Sequence, residues 1–275
     1  MKVISFHVDK CKNPCINSDI CYLRHREMNK ESNDRIDKDE HILKYMFMDT
    51  TKEYYIAICN KEIIKSAIIF LKSWNINLNK IHFTTNYDIY KESHKELKDY
   101  EKNTQVSIYS KEQWKELNNS SAVCPSYLIR DDKSLEVAKE LLNDSNSRGH
   151  LNIYQGYIEQ YNDKANEILA LWIKGKAKNI SIDTCLESYA RFKKCAFQKM
   201  YVDIHHDGTI RRCPFNSKGV NIDTPEVNKQ YYIQSNGTII PRNNVKVNKS
   251  LIDINRLYKI KHEPNCIYHK LYGGK

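Results

Sequence analysis

The sequence predicts an α/β fold with a parallel sheet, followed by a smaller C-terminal unit built around a β-hairpin. Three patterns carry this expectation. Strand-like and helix-like segments alternate six times through residues 1–175. That alternation implies right-handed βαβ units and a parallel sheet. The rhythm then stops, and two short strand-like runs flank Asp207-Gly208, a strong hairpin signal.

Taken in order, residues 2–8 (KVISFHV) alternate and are rich in β-branched and aromatic side chains, which reads as a strand. A loop over 10–21 follows, kept irregular by Pro14 and the Asn-Ser-Asp stretch at 17–19. Residues 38–48 read as a helix. The expected strands are 54–58, 80–85, 106–109, 127–130 and 151–154. The helices between and after them are 62–74, 91–101, 111–118, 134–143 and 163–174. The hairpin strands are 201–205 and 209–212, and Gly208 supplies the positive φ of the turn.

The chain has 275 residues, 40% hydrophobic and 28% charged, enough for a packed core beneath a polar surface. The apolar run at 67–71 is far shorter than the ~18 residues of a membrane span. The N-terminus has no basic start followed by a long apolar stretch, so a cytoplasmic location without a membrane is expected. Net charge is +10, with lysines spread along the chain, which reads first as a solvated surface and second as an attraction for nucleic acid.

Nine cysteines, an odd number without a secretion signal, argue against a disulfide framework. Cys11, Cys15 and Cys21 lie within eleven residues, directly after the first strand. Ligands bind at the carboxyl ends of strands in βα folds. Three thiolates on one loop can hold three corners of a [4Fe–4S] cube and leave the fourth iron open. An open iron can chelate the amino and carboxylate groups of S-adenosylmethionine, and an electron passed to the sulfonium then breaks a carbon–sulfur bond. A zinc site completed by His7 or His25 is the competing reading.

Cys185, Cys195, Cys213 and Cys266 fall in the C-terminal unit. Twelve residues separate Cys195 from Gly208, and four separate Gly208 from Cys213, a spacing that the hairpin explains. Four thiolates with no open position suit an electron-transfer or structural cluster. The competing four-cysteine zinc ribbon normally uses C-x-x-C knuckles, and none occurs in the chain.

These residues resemble the radical S-adenosylmethionine enzymes that carry a C-terminal twitch or SPASM-like domain, and the resemblance covers nearly the whole chain. KCKNPCINSDICYL resembles the family's cluster loop, including the aromatic Tyr22 after the third cysteine. The spacing here is C-x3-C-x5-C where the family has C-x3-C-x2-C. CNKEII at 59–64 stands where the family has Gly-Gly-Glu, with Asn60-Lys61 in place of the glycines. FTTN at 83–86 resembles the Thr-Asn end of the third strand, and the stretch 195–215 matches the auxiliary-cluster pattern.

The resemblance implies a partial (β/α)6, TIM-like barrel over 1–178 and a small α+β auxiliary-cluster domain over 179–275. It implies an S-adenosylmethionine-binding [4Fe–4S] cluster on Cys11, Cys15 and Cys21, and an auxiliary [4Fe–4S] cluster on Cys185, Cys195, Cys213 and Cys266. Tyr22, Glu62, Ser107 and Arg130 would line the cofactor, with Glu62 holding the methionine amine. Two cysteines remain, Cys59 and Cys124. A thiol at the barrel mouth, Cys124 above all, could donate a hydrogen atom to a substrate radical, although small buried hydrophobe is the commoner role.

The implied activity generates a 5′-deoxyadenosyl radical to modify a ribosomally synthesised peptide by crosslinking, epimerisation or oxidation. A separate leader-binding protein and a reductant such as flavodoxin or ferredoxin would be its partners. The alternatives are a small-molecule radical dehydrogenase, an RNA-modifying enzyme, and a non-catalytic zinc- and nucleic-acid-binding protein.

Overall fold

Polar caps turn four strands of the parallel sheet into the helices that follow them. The computed structural model describes residues 3–7, 16–17, 19–20, 53–57, 64, 68, 78–195, 201–204, 209–211, 213, 220–221, 231–233, 239–241 and 266–273. The expected helix at 38–48 and most of that at 62–74 lie outside these residues.

In chain order the first strands are β1 (Val3–His7), β2 (Glu53–Ala57), β3 (Ile81–Asn86), β4 (Thr104–Ile108), β5 (Cys124–Ile129) and β6 (Arg148–Ile153). They continue with β7 (Asn179–Ile182), β8 (Tyr201–Ile204), β9 (Thr209–Arg211), β10 (Val220–Asn221), β11 (Tyr231–Ile233) and β12 (Ile239–Pro241). The α-helices are α1 (Tyr87–Glu92), α2 (His94–Leu97), α3 (Lys111–Ser120), α4 (Asp132–Asn143), α5 (Gln155–Gln160), α6 (Lys164–Lys174), α7 (Thr184–Phe192) and α8 (Ile267–Tyr272).

The chain divides into two compact units, Met1–Ile81 with Phe197–Glu263, and His82–Ala196 with Pro264–Lys275. In the first unit β1 pairs in parallel with β2 and with β8. The expected hairpin is present: β8 and β9 are antiparallel, with Asp203 opposite Arg211 and Ile204 opposite Ile210. β10 extends it, and β11 and β12 form a separate two-stranded ladder. Ile64 and Ile68, one helical turn apart, are both helical and buried, as the apolar stripe of 62–74 expects.

The second unit holds β3, from His82 on, to β7 as consecutive parallel neighbours. β7 is absent from the sequence reading, which opened a separate C-terminal unit there. Its four residues alternate exposed and buried, so the run is too short and too polar to stand out. The expected boundary after residue 178 therefore falls just ahead of a strand of this sheet.

The four handovers share one device, a side-chain cap. Asn86 Oδ1 accepts from the Ile89 N–H at 2.9 Å, Ser110 Oγ from Gln113 at 3.3 Å, and Asp183 Oδ1 from Leu186 at 2.9 Å. Asp131 and Ser134 form a reciprocal capping box on α4. The expected single helix at 91–101 is instead α1, α2 and a 3-10 stretch, broken at Ser93.

α1 packs on β4, and α3 and α4 on β5. They cover a face made of Phe83, Val106, Ile129, Leu151 and Ile182, all at most 3% exposed. Gly149 fits this face because Trp114 of α3 fills the place of its side chain. An added Cβ would lie 2.4 Å from Trp114 Cη2 and 2.6 Å from the Pro125 carbonyl, at a φ of +152°. Among the described residues, no helix is long and apolar enough to cross a membrane.

Candidate functional site

Side chains alternate across a sheet, so the residues between the core positions line the opposite face. That face is polar. The strand registers align Ser107 with Ser126, Ser126 with His150, and His150 with Ser181, one residue from each of four neighbouring strands. Asn86 stands beside Ser107 at the β3 end, where its side chain caps α1. Strands lie about 4.8 Å apart, so the row offers a polar group at that interval.

Hydrogen bonds tie the row together. His150 Nδ1 lies 2.8 Å from Ser181 Oγ, and His150 Nε2 lies 3.0 Å from Asn152 Oδ1. Asn152 Nδ2 donates to Ser126 Oγ at 2.7 Å. An amide oxygen can only accept, so His150 carries its proton on Nε2, and Ser181 faces the basic Nδ1. Burial pushes the imidazole below its ordinary value, and the bond to Asn152 offsets this in part.

Arg148 shares the strand with His150 but is held at its amino end. Asn118 exchanges two hydrogen bonds with the Arg148 backbone, at 3.0 and 3.2 Å. The guanidinium donates to the carbonyls of Val123, Ser121 and Leu117. Cys124 opens β5 at this same end, with its thiol 3.8 Å from the Pro125 carbonyl. Burial pushes that thiol up, against the smaller opposing effect of Arg148. Cys124 thus lies away from the carboxyl ends of the strands, where a hydrogen-atom donor was expected.

A second cluster of chemistry-bearing residues sits between α7 and α8. Tyr189 stacks on the fully buried Tyr268, with ring centroids 6.5 Å apart and planes 17° from parallel. Cys185 lies in the first turn of α7 and Cys266 is the N-cap residue of α8. Lys193 ends α7 in the left-handed conformation (φ 54°) and turns the chain towards Cys195. Burial pushes the Tyr189 hydroxyl far above its ordinary range, reinforced by Cys195, Cys266 and Cys185. Cys185 and Cys195, near the two ends of α7, and Cys266, at the start of α8, thus lie on two helices that pack together.

Asp183, the N-cap of α7, is buried. Burial raises its carboxyl to about 6, against the lowering effect of backbone N–H donors such as Leu186 and Cys185. The Tyr268 hydroxyl faces this carboxylate without reaching hydrogen-bond geometry and is pushed well above its usual value, first by burial.

None of the five described cysteines is in a disulfide. Among the described residues, no three His, Cys, Asp or Glu side chains are gathered as ligands of a metal ion. A tetrahedral zinc needs its sulfurs within about 4 Å of one another, given Zn–S bonds of about 2.3 Å. A four-iron cube spaces its thiolates more widely. Cys185, Cys195 and Cys266 have the chemistry of such a donor set, and among the described residues they are not gathered as the ligands of one ion.

Of the other expected site residues, Ser107 lies in the polar row, and Arg130 follows β5 with its Nε 3.8 Å from the Asp131 carboxylate. Cys213 is buried in the first unit, beyond β9. Cys11, Cys15, Cys21, Tyr22 and Glu62 lie outside the described residues, as does Cys59. Ser126, His150, Asn152, Ser181, Tyr189 and Tyr268 were not singled out from the sequence. Their signal was present only as period-2 polarity in HLN at 150–152 and as tyrosines near cysteines.

No family model and no curated protein matches the chain. Among solved structures, the crystal structure of Streptococcus suis SuiB bound to S-adenosylmethionine is similar at a TM-score of 0.45 and 13% identity. The match covers 80% of this chain and 61% of the SuiB chain, so the chain spans less than two thirds of that structure's length.

Proposed function

We propose that the protein is a radical S-adenosylmethionine enzyme that modifies a ribosomally synthesised peptide. The observation that supports this reading is the packing of α7 on α8, with Tyr189 stacked on Tyr268, which draws Cys185 and Cys195, near the two ends of α7, towards Cys266 at the start of α8. A cluster domain requires such an approach of thiols from distant parts of the chain. Cys213 enters the proposed set from its sequence spacing to Cys195 and Gly208 alone.

The cofactor-binding half rests on the sequence. β1 ends at His7, and Cys11, Cys15 and Cys21 follow it. A cluster held there would supply the electron that cleaves S-adenosylmethionine. Tyr22, Glu62, Ser107 and Arg130 are the chain's own candidates to orient that cofactor, and Ser107 lies on the polar sheet face. Cys185, Cys195 and Cys266 would hold the auxiliary cluster, with Tyr189 shielding it from water. Functionally the chain then divides into a cofactor-binding part, 1–178, and an auxiliary part, 179–275. A leader-binding protein and a flavodoxin or ferredoxin reductant complete the proposal, in a cytoplasmic setting.

The test is anaerobic incubation of reconstituted protein with dithionite and S-adenosylmethionine, followed by assay for 5′-deoxyadenosine. The product is expected with the natural chain and is expected to vanish when Cys11, Cys15 and Cys21 are together replaced by Ala. Protein that takes up zinc and no iron, or a triple variant with unchanged yield, would refute the reading.

A further inference from the structure

Parallel sheets are ordinarily buried and apolar on both faces. The sheet β3–β7 departs from this on one face only. Its helix-covered side is apolar, while its other side aligns Ser107, Ser126, His150 and Ser181 across four strands. A polar row in such a place is costly unless its groups are satisfied by water or by a ligand.

The row is partly built already. His150 Nε2–H donates to Asn152 Oδ1, and Asn152 Nδ2 donates to Ser126 Oγ. Ser126 is 2% exposed and acts as the acceptor towards Asn152, which uses one of its two lone pairs and leaves its proton out of that bond. Its hydroxyl proton is therefore left to donate outside this chain of bonds. Asn152 retains a second amide proton for the same purpose. The face thus presents neutral donors held in fixed directions by their neighbours.

Charge narrows the ligand. None of the five strands contains Asp or Glu. The one arginine among them, Arg148, spends its guanidinium on three backbone carbonyls at the amino end. His150 has both ring nitrogens engaged by neutral partners. These strands thus offer no carboxylate and commit their arginine to the backbone, whereas a hydroxyl or carboxamide would meet the donors and acceptors of Ser126, His150 and Asn152.

We propose that Ser126, His150 and Asn152, flanked by Ser181, form a binding site for an uncharged group bearing hydroxyls or a carboxamide. Two sources share that chemistry, a polyol and an amide side chain. The site uses residues of one unit and no metal, so it stands or falls separately from the iron–sulfur reading.

The test is anaerobic isothermal titration of the full chain with myo-inositol and with N-acetyl-asparagine amide, beside their charged counterparts glucuronate and N-acetyl-aspartate amide. Saturable binding of one neutral probe is expected, with its charged counterpart at least about tenfold weaker. Inositol binding identifies a polyol site and asparagine amide an amide site. Ser126→Ala and Asn152→Ala should each weaken the neutral probe about tenfold. The natural chain decides the matter even if a variant fails to fold. Absence of binding by both neutral probes, or equal binding of the charged ones, overturns the proposal.

Discussion

The sheet β3–β7 has two faces that differ in everything except their backbone. Under the helices, Phe83, Val106, Ile129, Leu151 and Ile182 are closed to solvent. On the other side, one residue along each strand, hydrogen-bonding side chains replace them. The difference separates tasks: one face supplies the hydrophobic stabilisation, and the other is left free to carry chemistry without weakening the core.

The largest expected effect lies on the apolar face. Trp114→Ala should lower unfolding free energy by about 3–5 kcal/mol, read from chemical denaturation, because the ring is buried and fills the hollow over Gly149. Gly149→Ala should cost about 1–3 kcal/mol, since its methyl would collide with Trp114 and the Pro125 carbonyl. The two losses should not add when combined, because removing the ring removes part of the collision. Strict additivity would mean that Trp114 does not fill this hollow.

The polar face should respond to pH. In the fold, burial holds His150 below its ordinary value, so the unfolded chain takes up this proton first as pH falls. Stability should therefore drop as pH is lowered through the ordinary histidine range near ~6.5, by at most about 1.4 kcal/mol per pH unit, and level off below the folded value. His150→Gln should remove that part of the slope, seen as a difference between two sets of denaturation curves. An unchanged slope would place His150 in an environment like that of the unfolded chain.

The smallest effect should come from Ser107→Ala, within about 0.5 kcal/mol by the same measurement. A loss of about 2 kcal/mol or more would show that the polar face is packed like the apolar one, and the contrast between them would fail.

Much of this sheet was legible in the sequence, because strands and helices of ordinary length alternate there; the caps Asn86, Ser110 and Asp131 at the handovers emerge from the structure. β7 was not, for it has four residues and no apolar run. The polar row was not legible either. Ser107, Ser126, His150 and Ser181 are separated by 19, 24 and 31 positions in the chain, and only strand register brings them into line. The cysteines were legible as candidates by their number and spacing. The packing of Cys185, Cys195 and Cys266 around Tyr189 depended on α7 and α8 meeting, a long-range contact with no local signature. Cys124 was legible as a thiol at the amino end of the fifth strand, where β5 begins with it.

The claim on which the functional account depends is that two separate groups of cysteines each hold a cluster. Iron and sulfide analysis of anaerobically reconstituted protein measures this directly. The account predicts about eight irons per natural chain, about four when Cys185, Cys195 and Cys266 are all replaced by Ala, and about four when Cys11, Cys15 and Cys21 are. Iron content that ignores either triple replacement, or zinc in place of iron, would contradict it.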